Sequence, residues 1–504
     1  MSEKQLSDFD LLIIGGGING TGIARDAAGR GLKVCLLEQN DLASATSSAS
    51  SKLIHGGLRY LENYEFHLVR ESLQERETLM SMAPHLIHPM RFILPHHKGL
   101  RPAFILRLGL WLYDHIGGRK RLPATRTLNL ASAAHDLPLK PEFKKGFEYS
   151  DCWVDDSRLV VTNALGALEK GAQILVRHRF LHAEKEGTRW KVEIETPARK
   201  RVSVTAGTIV NAAGPWVDAV QEHLPVMSGT VNNMRLVKGS HIVVPRLYTD
   251  PRAFTFQGSD GRVVFTIPYG DSYTMIGTTD VPYNGDPGKV KIDKSEIKYL
   301  CDLVSGYFEN PITPEQVIWS FSGVRPLYDD GEKNASKLTR DYVLDLEADS
   351  ETPPLLSIYG GKVTTYRRLA EDVLEKLTPY IRHGHQPWTK GAALPGGDIK
   401  KGDFEAFYTR MQASHDWLSP ALMRRLCLAY GTRISLILQA AKDVADLGIH
   451  FGGGLYEREV EYLMTHEWAH TAEDILWRRS KLGLVLSAAE QHSLDVWMKS
   501  HLKD

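Results

Sequence analysis

The stretch "IIGGGINGTGIA", residues 13–24, decides the fold, because it joins an apolar run to a helical pattern through a glycine-rich turn. Gly15, Gly17 and Gly20 have the G-x-G-x-x-G spacing of a turn that binds a dinucleotide. The first glycine permits a tight turn, the second lets the backbone approach a pyrophosphate, and the third lets the helix pack on the strand. The pattern predicts an anion at the N-terminus of the helix, although such a turn also occurs without a ligand.

Two predicted strands flank this turn. "FDLLII" (9–14) is typical of a buried parallel strand, and "KVCLLE" (33–38) is typical of its neighbour. The second strand ends in Glu38, 18 residues after Gly20, where a carboxylate can accept both hydrogen bonds from an adenosine ribose. Together these features predict a dinucleotide cofactor, but they do not distinguish NAD from FAD.

Three later segments favour FAD, because each places small residues beside a predicted strand end and so suits a long, extended ligand. They are residues 45–66, 208–217 and 355–377. In the last segment, a helix beginning near Val363 to Thr365 would point its positive end at the pyrimidine edge of the flavin and stabilise the reduced ring. The candidate cofactor-binding residues in these segments are Thr46, Ser47, Ser51, Lys52, Leu53, His55, Ala213, Gly214, Gly361, Val363 and Thr364.

The composition indicates a globular protein of more than one domain and argues against several classes of function. A chain of 504 residues exceeds one ordinary hydrophobic core. Its 61 basic and 61 acidic residues balance, so no nucleic-acid partner is expected. The four cysteines stand far apart, which argues against a disulfide framework or a cysteine zinc site. We expect no signal peptide in the polar start "MSEKQLSDFD", and no apolar run reaches the roughly 18 residues of a membrane span.

The chain also closely resembles a known family, the FAD-dependent sn-glycerol-3-phosphate dehydrogenases, which are quinone-linked respiratory enzymes of bacteria. The resemblance covers nearly all of the chain, and HGGLRYLE, SGVRPL and GGKVTTYR are together its specific motifs. The matching stretches are IIGGGINGTGIARDAAGRGL, TSSASSKLIHGGLRYLENYEF, GFEYSDCWVDDSRLV, VNAAGPWV, KGSHIVVP, IGTTDVPYNGDP, SGVRPL, LTRDY, GGKVTTYRRLAE and DILWRRSKLGL.

The resemblance implies an α/β fold with a split Rossmann-like FAD-binding domain of the glutathione-reductase and D-amino-acid-oxidase type. An antiparallel β-sheet substrate domain is inserted into it, and a helical C-terminal domain follows. We place the oxidoreductase domain at 1–385, with FAD-binding segments at about 1–80, 150–220 and 350–385, substrate- or membrane-facing segments at about 81–149 and 221–349, and the helical domain at 386–504.

Two sequence patterns agree with this fold independently. Residues 254–280 alternate apolar runs with turn residues, as a β-meander does. The runs QILVRHRF and TRWKVEIE, which begin at residues 173 and 188, predict another pair of strands.

The resemblance further implies oxidation of sn-glycerol 3-phosphate to dihydroxyacetone phosphate by hydride transfer to FAD, with the electrons passing to membrane quinone. Such a reaction needs cations for the phosphate and an acceptor for the hydroxyl proton. The resemblance places Arg59, Arg325, Arg340, Lys362 and His241 at this pocket. We assign the phosphate to Arg59 and Arg340 with help from Lys362, polarisation of the reacting oxygen to Arg325, and the proton to His241.

Other interpretations are kept alongside this one. A glycerol-3-phosphate oxidase that reduces oxygen, or a flavin-binding scaffold without turnover, would share most of these residues. Some wider relatives attach FAD covalently at the position of His55, but noncovalent binding is expected here. The acids of "DCWVDD" (151–156) are expected to serve packing and a solvated turn.

A zinc hydrolase is the alternative from another class, since His466, Glu467 and His470 form an H-E-x-x-H pattern. On a helix, the two histidines would share one face and could bind a metal ion. This alternative explains none of the flavin segments. We therefore expect helix-surface residues here and no catalytic metal.

The stretch "LRPAFILRLGLWLYDHIGGRKR" (100–121) is a candidate membrane contact. A helix over about 103–115 would be apolar on most faces, with Arg107 and Asp114 sharing a narrow polar stripe, and residues 96–121 hold six basic residues against one acid. Such a helix can lie in the headgroup layer of an anionic membrane, or it can be a buried core helix beside a basic loop. Because quinone lies in the bilayer and the resembled family binds membranes peripherally, we favour the cytoplasmic face of the inner membrane. A homodimer is compatible with the sequence.

Overall fold

The computed structural model describes residues 8–61, 64–118, 121–131, 137–225, 234–329, 341–348, 352–382, 384 and 386–502. Within these residues the backbone forms twenty strands and twelve α-helices. The strands are β1 (Asp8–Ile14), β2 (Val34–Glu38), β3 (Leu53–Ile54), β4 (Ile87–His96), β5 (Arg126–Asn129), β6 (Lys145–Val154), β7 (Gln173–Val176), β8 (Arg179–Glu186), β9 (Arg189–Glu195), β10 (Arg201–Asn211), β11 (Met234–Pro245), β12 (Ala253–Gln257), β13 (Val263–Tyr269), β14 (Tyr273–Gly277), β15 (Val281–Pro282), β16 (Trp319–Tyr328), β17 (Val343–Glu347), β18 (Leu355–Tyr359), β19 (His450–Gly452) and β20 (Leu455–Tyr456). The helices are α1 (Ile18–Gly29), α2 (Phe66–Met82), α3 (Ala103–Ile116), α4 (Asp156–Leu168), α5 (Val217–Gln221), α6 (Lys294–Tyr307), α7 (Tyr366–Leu377), α8 (Phe404–Ser414), α9 (Pro420–Tyr430), α10 (Ile434–Leu438), α11 (Glu457–His466) and α12 (Ala488–His501).

The first sheet confirms the predicted dinucleotide-binding arrangement. Five parallel strands run in the order β18-β10-β1-β2-β7, and β17 pairs antiparallel with β18. From Leu11 to Ile14 the β1 strand is continuously apolar, because both of its faces are buried there. Leu11 and Ile13 share a core with α1, α4 and α7, whereas Leu12 and Ile14 share a second core with the β8–β9 hairpin. Each such residue contributes roughly 1.5–3 kcal/mol on burial.

The register of this sheet brings several strand ends together. Ile14 at the end of β1 lies opposite Leu37 of β2 and Asn211 of β10. Since these strands are parallel, the turns that follow them meet at one edge of the sheet. The predicted amphipathic helix after β18 is α7, and its inward positions are buried as the periodicity predicts: Leu369, Val373, Leu374 and Leu377.

The predicted strand pair within 173–194 needs a correction. Residues 173–176 form β7, which is parallel to β2, and the antiparallel hairpin is made by β8 and β9. The chain breaks at Arg177, whose φ of 62° is incompatible with a continuous strand. One apolar run therefore supplies two strands with different partners.

The second sheet contains ten strands and forms the inserted domain. Its order is β15-β11-β14-β13-β12-β4-β6-β3, with β16 added to β11 and β5 added to β6. The predicted meander is confirmed as β12, β13 and β14, in antiparallel register. The helix α6 packs on β11, β12 and β13.

The C-terminal part of the chain is mainly helical, as predicted. Helices α8 to α12 surround a separate hydrophobic core that runs from Ile399 to Met498, with the short β19–β20 hairpin beside it. Trp388 and Leu394, which precede this core, pack instead with the first sheet and its helices. None of the helices among the described residues has both the length and the apolar character needed to cross a bilayer.

The helix α3 exposes a row of apolar side chains. Phe104, Leu108 and Trp111, at helical spacing, are 73 %, 64 % and 55 % exposed. Arg107 and Asp114 do not form the shared polar stripe predicted for this helix, because Arg107 is exposed whereas Asp114 is buried. The carboxylate of Asp114 accepts a hydrogen bond from the backbone N–H of Thr125 (2.7 Å).

Candidate active site

A cavity of about 1520 Å³ is lined by both sheets. The first sheet contributes residues that follow β1, β2, β10 and β18, and the second contributes residues of β4, β6, β11, β12, β13 and β16. Residues 471–481 from the helical region line it as well. The cavity can thus hold a long ligand that begins at the glycine-rich turn and ends at the second sheet.

The glycine-rich turn has the tight geometry that its sequence predicts. Gly15 has a φ of +115°, and a Cβ there would lie 2.4 Å from the carbonyl oxygen of Ala212. A Cβ at Gly20 would lie 1.9 Å from the carbonyl oxygen of Gly15, so the helix and strand approach too closely for a side chain. Gly17 precedes α1 and offers no side chain that would cover its first turn. The backbone at this turn is open to an anionic group.

Glu38 lies in the cavity wall beside this turn. Its Oε2 accepts a hydrogen bond from the N–H of Gly16 (2.8 Å), and its Oε1 accepts one from the N–H of Asn40 (2.7 Å). Burial raises the pKa of the Glu38 carboxyl, while the two N–H donors act in the opposite direction. Each carboxylate oxygen keeps a lone pair for a ribose hydroxyl.

Most of the other predicted cofactor-binding residues lie on the same cavity. Ser47 accepts a hydrogen bond from the N–H of Ile18 (3.0 Å), which ties the serine-rich segment to the start of α1. The hydroxyl of Thr364, just before α7, accepts one from the N–H of His55 (3.3 Å). The predicted positions that line the cavity are Gly15, Gly17, Glu38, Thr46, Ser47, Ser51, Leu53, His55, Ala213, Gly214, Gly361, Val363 and Thr364.

These features fit FAD. The turn at Gly15 forms a cradle that any side chain would fill, and Glu38 presents a half-buried carboxylate next to it. The N-terminus of α7 reaches the cavity through Val363 and Thr364. These two residues follow β18, which lies two strands away from β1 in the first sheet. An extended dinucleotide would use all of these groups.

Lys52 does not line the cavity, contrary to the role predicted for it. Its ammonium is buried and donates to both oxygens of Asp156 (2.9 and 3.0 Å) and to the carbonyl of Ser48 (2.9 Å). Asp156 also accepts from the hydroxyl of Ser50 (2.8 Å). The solvated turn expected at "DCWVDD" is therefore wrong for Asp156, and Asp151 is likewise buried, in an ion pair with Arg76 (2.7 Å).

His241 lies on β11 with its ring in the cavity wall. Its Nε2 is 2.9 Å from the hydroxyl of Ser51, and its ring stacks on Phe321 with 4.8 Å between the centroids. Burial, together with the positive charges of Lys52 and Arg325, lowers the pKa of His241 to about 3. Nδ1 has no hydrogen-bond partner among the described residues. The imidazole is thus neutral at pH 7 and can accept a proton.

Arg325 lies on β16, which pairs with β11. Its guanidinium donates to Oδ1 of Asp280 (3.0 Å) and to the hydroxyl of Thr278 (3.1 Å), and it lines the cavity. A Cβ at Gly239 would lie 2.5 Å from Nη2 of Arg325, so the glycine makes room for this side chain. The sequence pattern predicts no role for Thr278, Asp280 or Gly239, although two of the matching stretches, IGTTDVPYNGDP and KGSHIVVP, contain them.

Of the other three predicted cations, Lys362 alone has its side chain in the described part of the structure. Lys362 lies on the cavity wall between the glycine pair and α7. Arg59 belongs to the helical turn Leu58–Leu61, whose end residues line the cavity, but the side chain of Arg59 lies outside the described part of the structure. Arg340 also lies outside it.

The H-E-x-x-H pattern does not form a metal site. The helix α11 ends at His466, and Trp468 has a φ of 57°, so His466 and His470 do not share a helical face. Glu467 is completely buried and ion-paired with Arg158 (Oε1 to Nη2, 3.0 Å), which corrects the expected surface position. Among the described residues, no group of three potential ligands could hold a metal ion.

Comparison with known sequences agrees with this geometry. Residues 10–367 match the family model for the FAD dependent oxidoreductases, and residues 387–499 match the C-terminal domain of alpha-glycerophosphate oxidase. A glycerol-3-phosphate dehydrogenase of Pseudomonas aeruginosa is 51 % identical over 98 % of this chain and 95 % of its own length. The aerobic glycerol-3-phosphate dehydrogenase of Escherichia coli is 50 % identical over 97 % of each chain. A D-erythritol 1-phosphate dehydrogenase of Brucella abortus is also 50 % identical over 97 % of each chain.

A solved structure shares the whole architecture. The glycerol-3-phosphate dehydrogenase of Bacillus halodurans, crystallised with FAD, is 28 % identical and superposes with a TM-score of 0.78 over 99 % of this chain and 91 % of its own. The family match covers well over half of the chain and includes the glycine-rich turn, Glu38, His241 and Arg325. The chain therefore belongs to the family of FAD-dependent oxidoreductases.

Proposed function

We propose that this chain oxidises sn-glycerol 3-phosphate to dihydroxyacetone phosphate, with FAD as its cofactor and membrane quinone as its electron acceptor. One observation carries the proposal: the neutral imidazole of His241 and the guanidinium of Arg325 lie on paired strands in the wall of a cavity that begins at a dinucleotide-binding turn. The 50–51 % identity to two glycerol-3-phosphate dehydrogenases supports the choice of substrate.

The phosphate of the substrate requires cations. Arg59 and Arg340 are assigned to it with help from Lys362, because the arginine fork matches two phosphate oxygens and the lysine adds a point charge. Lys362 lies on the cavity wall next to Gly361.

Arg325 and His241 act on the reacting hydroxyl. Arg325 is aimed by Asp280 and Thr278, and it stabilises the negative charge that develops on the oxygen as the proton leaves. His241 accepts this proton. Burial, and then the positive charges of Lys52 and Arg325, hold the pKa of His241 low. A phosphate dianion nearby offsets those positive charges, so proton acceptance becomes easier once the substrate is bound. When bound, FAD supplies the acceptor for the hydride that leaves the carbinol carbon.

The experiment that tests this function is anaerobic mixing of the FAD-loaded protein with glycerol 3-phosphate while flavin absorbance is followed. Bleaching is expected, and Arg325→Ala should slow it by about 100-fold or more, because one stabilising donor is lost. Arg252→Ala is the matched control, since Arg252 also pairs with a loop aspartate (Asp250, just before β12, 2.6 Å) but does not line the cavity. Wild-type reduction by Arg325→Ala, or no bleaching in any protein, would refute the assignment.

D-Erythritol 1-phosphate is a second candidate substrate, because a relative with that activity in its name is as similar as one of the glycerol-3-phosphate dehydrogenases. The two substrates share a phosphate and differ in chain length. The ratio of kcat/KM for the two, measured with the same protein, decides between them. A ratio that favours the four-carbon substrate would replace the glycerol compound in the proposal.

The electron acceptor and the membrane contact are both proposed from the position of the helix α3. The helix α3 lines the cavity through Ile105, Leu106 and Leu110, and it exposes Phe104 and Trp111 on another face. This arrangement suits a protein that rests on a bilayer and passes electrons to a lipid-soluble quinone. Measuring peroxide formation against reduction of a quinone analogue distinguishes the dehydrogenase from an oxidase, and stoichiometric peroxide would favour the oxidase.

A further inference from the structure

Residues 471–481 of the helical region form part of the cavity wall. Six of them line it: Thr471, Glu473, Asp474, Trp477, Arg478 and Lys481. Three of them, Asp474, Trp477 and Arg478, belong to a π-helical segment, Asp474–Arg479, that follows α11. The cavity that fits FAD is thus closed on one side by residues more than 400 positions away from the glycine-rich turn.

Two arginines of this segment hold Asp41, which lies just after β2. Arg478 donates through Nε to Oδ2 of Asp41 (2.6 Å), and Arg479 donates to both oxygens (2.8 and 3.0 Å). Asp41 and Arg479 are 2 % and 1 % exposed, so the interaction is shielded from water. Charged hydrogen bonds of this kind are stronger than neutral ones, and removing one partner leaves a buried charge without its counterion.

The backbone that follows Glu38 is also held in place by hydrogen bonds. Asn40 donates its N–H to Glu38, and its carbonyl accepts from the N–H of Arg177 (3.0 Å). The side chain of Arg177 in turn donates to Asp474 (2.8 Å) in the π-helical segment. The loop 38–41 is therefore fixed between the glycine-rich turn and the helical region.

The same segment also reaches the second sheet. Trp477 stacks on Trp319 at the start of β16, with 4.5 Å between the ring centroids, and both rings line the cavity. The segment therefore spans the cavity from the Glu38 loop to the strand that carries Arg325.

We propose that residues 471–481 are a part of the cofactor-binding site, and that Arg478 and Arg479 are positioning residues that act through Asp41 to hold Glu38 toward the adenosine ribose. Affinity for FAD then depends on docking of the helical region, although the glycine-rich turn lies wholly in the first sheet. The inference concerns the cofactor alone and holds whichever polyol phosphate is oxidised.

The test measures FAD affinity of the apoprotein, by quenching of flavin fluorescence on titration, for Asp41→Asn and Arg478→Gln. The Kd for FAD is expected to rise about tenfold or more in each, because each change removes charged hydrogen bonds that hold the loop 38–41. Arg433→Gln is the matched control: Arg433 joins the helical region to Glu169 after α4 (2.6 Å), but neither residue lines the cavity. Its Kd should stay within about twofold of the wild type.

Circular dichroism of each apoprotein separates loss of the fold from loss of the site. Arg478 is partly exposed, so Arg478→Gln decides the question if Asp41→Asn does not fold. The proposal is overturned if the folded variants bind FAD as tightly as the wild type, or if the Arg433 control weakens FAD equally. Substrate is absent from the titration, so its outcome is separate from the proposed reaction.

Discussion

At the scale of single residues, the environment of His241 explains how a buried histidine can serve as a base. Its ring is packed against Phe321 and hydrogen-bonded to Ser51, which fixes its orientation. Burial and, to a lesser extent, nearby cations keep it unprotonated across the neutral range, so the acceptor form is present in the free protein. The anionic substrate then supplies the negative charge that stabilises the imidazolium.

Replacing His241 by asparagine should lower the rate of flavin reduction by about 100-fold to 10,000-fold, as is typical when a general base is lost. The affinity for substrate should change little, because the phosphate is held by other groups. Stopped-flow reduction over a range of substrate concentrations separates the two effects. Ser51→Ala keeps the imidazole and removes only its partner, so it should cost far less. Equal rates in His241→Asn and the wild type would show that another group takes the proton.

Residues whose contacts are local were predictable from the sequence, and those with distant partners were not. The glycine positions and Glu38 follow from spacing, because their geometry is set by one turn and one neighbouring strand. The small polar residues around Lys52 predict a place for it at the cofactor. Its ammonium instead pairs with Asp156, which lies 104 positions further along the chain, and no local pattern predicts that contact.

At the scale of secondary structure, α3 connects the cavity to an exposed apolar face. On its inner side, the hydroxyl of Tyr113 accepts from the N–H of Gly56 (2.7 Å) and donates to Asp151 (2.8 Å). On its outer side, Phe104 and Trp111 contact solvent. A single helix thus carries both the predicted membrane face and a contact to Gly56, in the predicted cofactor-binding segment 45–66.

The triple variant Phe104→Ser, Leu108→Ser and Trp111→Ser should lose most of its binding to anionic phospholipid vesicles, because burial of these side chains drives interfacial binding. Flotation with vesicles measures the bound fraction. The double variant Val485→Ser and Val496→Ser is the control, since both residues are more than half exposed in the helical region. Unchanged flotation of the triple variant would exclude α3 as the membrane contact.

Element boundaries were predictable where one periodicity extended through a whole element. The helix α7 and the meander β12–β14 follow their sequence patterns because burial on one face alone explains them. The pattern fails at Arg177 and Trp468, where a non-glycine residue adopts positive φ. Tertiary contacts of the backbone decide such positions, and no local periodicity records them.

At the scale of the whole molecule, buried polar groups join the helical region to the first domain. Arg158 of α4 is ion-paired with Glu467, and the two together are shielded from solvent. His85 lies close by, between α2 and Gly431, and neither of its ring nitrogens has a hydrogen-bond partner among the described residues. His88 stacks on Trp153 and contacts Phe404 of α8 edge-on. The interface therefore depends on histidines that are neutral.

Acid should weaken this interface. Burial lowers the pKa of His88 to about 4 and that of His85 well below its usual value, whereas both titrate near 6.5 in the unfolded chain. Between these values the unfolded state binds more protons, so stability is complete above pH 6.5 and falls as pH decreases, by about 1.4 kcal/mol per pH unit for each histidine. Urea unfolding of the holoprotein between pH 7 and 5 measures this dependence.

His88→Phe keeps an aromatic ring and should lose one histidine's share of the dependence of stability on pH, whereas His492→Phe, at an exposed position, should keep the full dependence. An unchanged slope in His88→Phe would mean that the interface does not depend on a neutral His88.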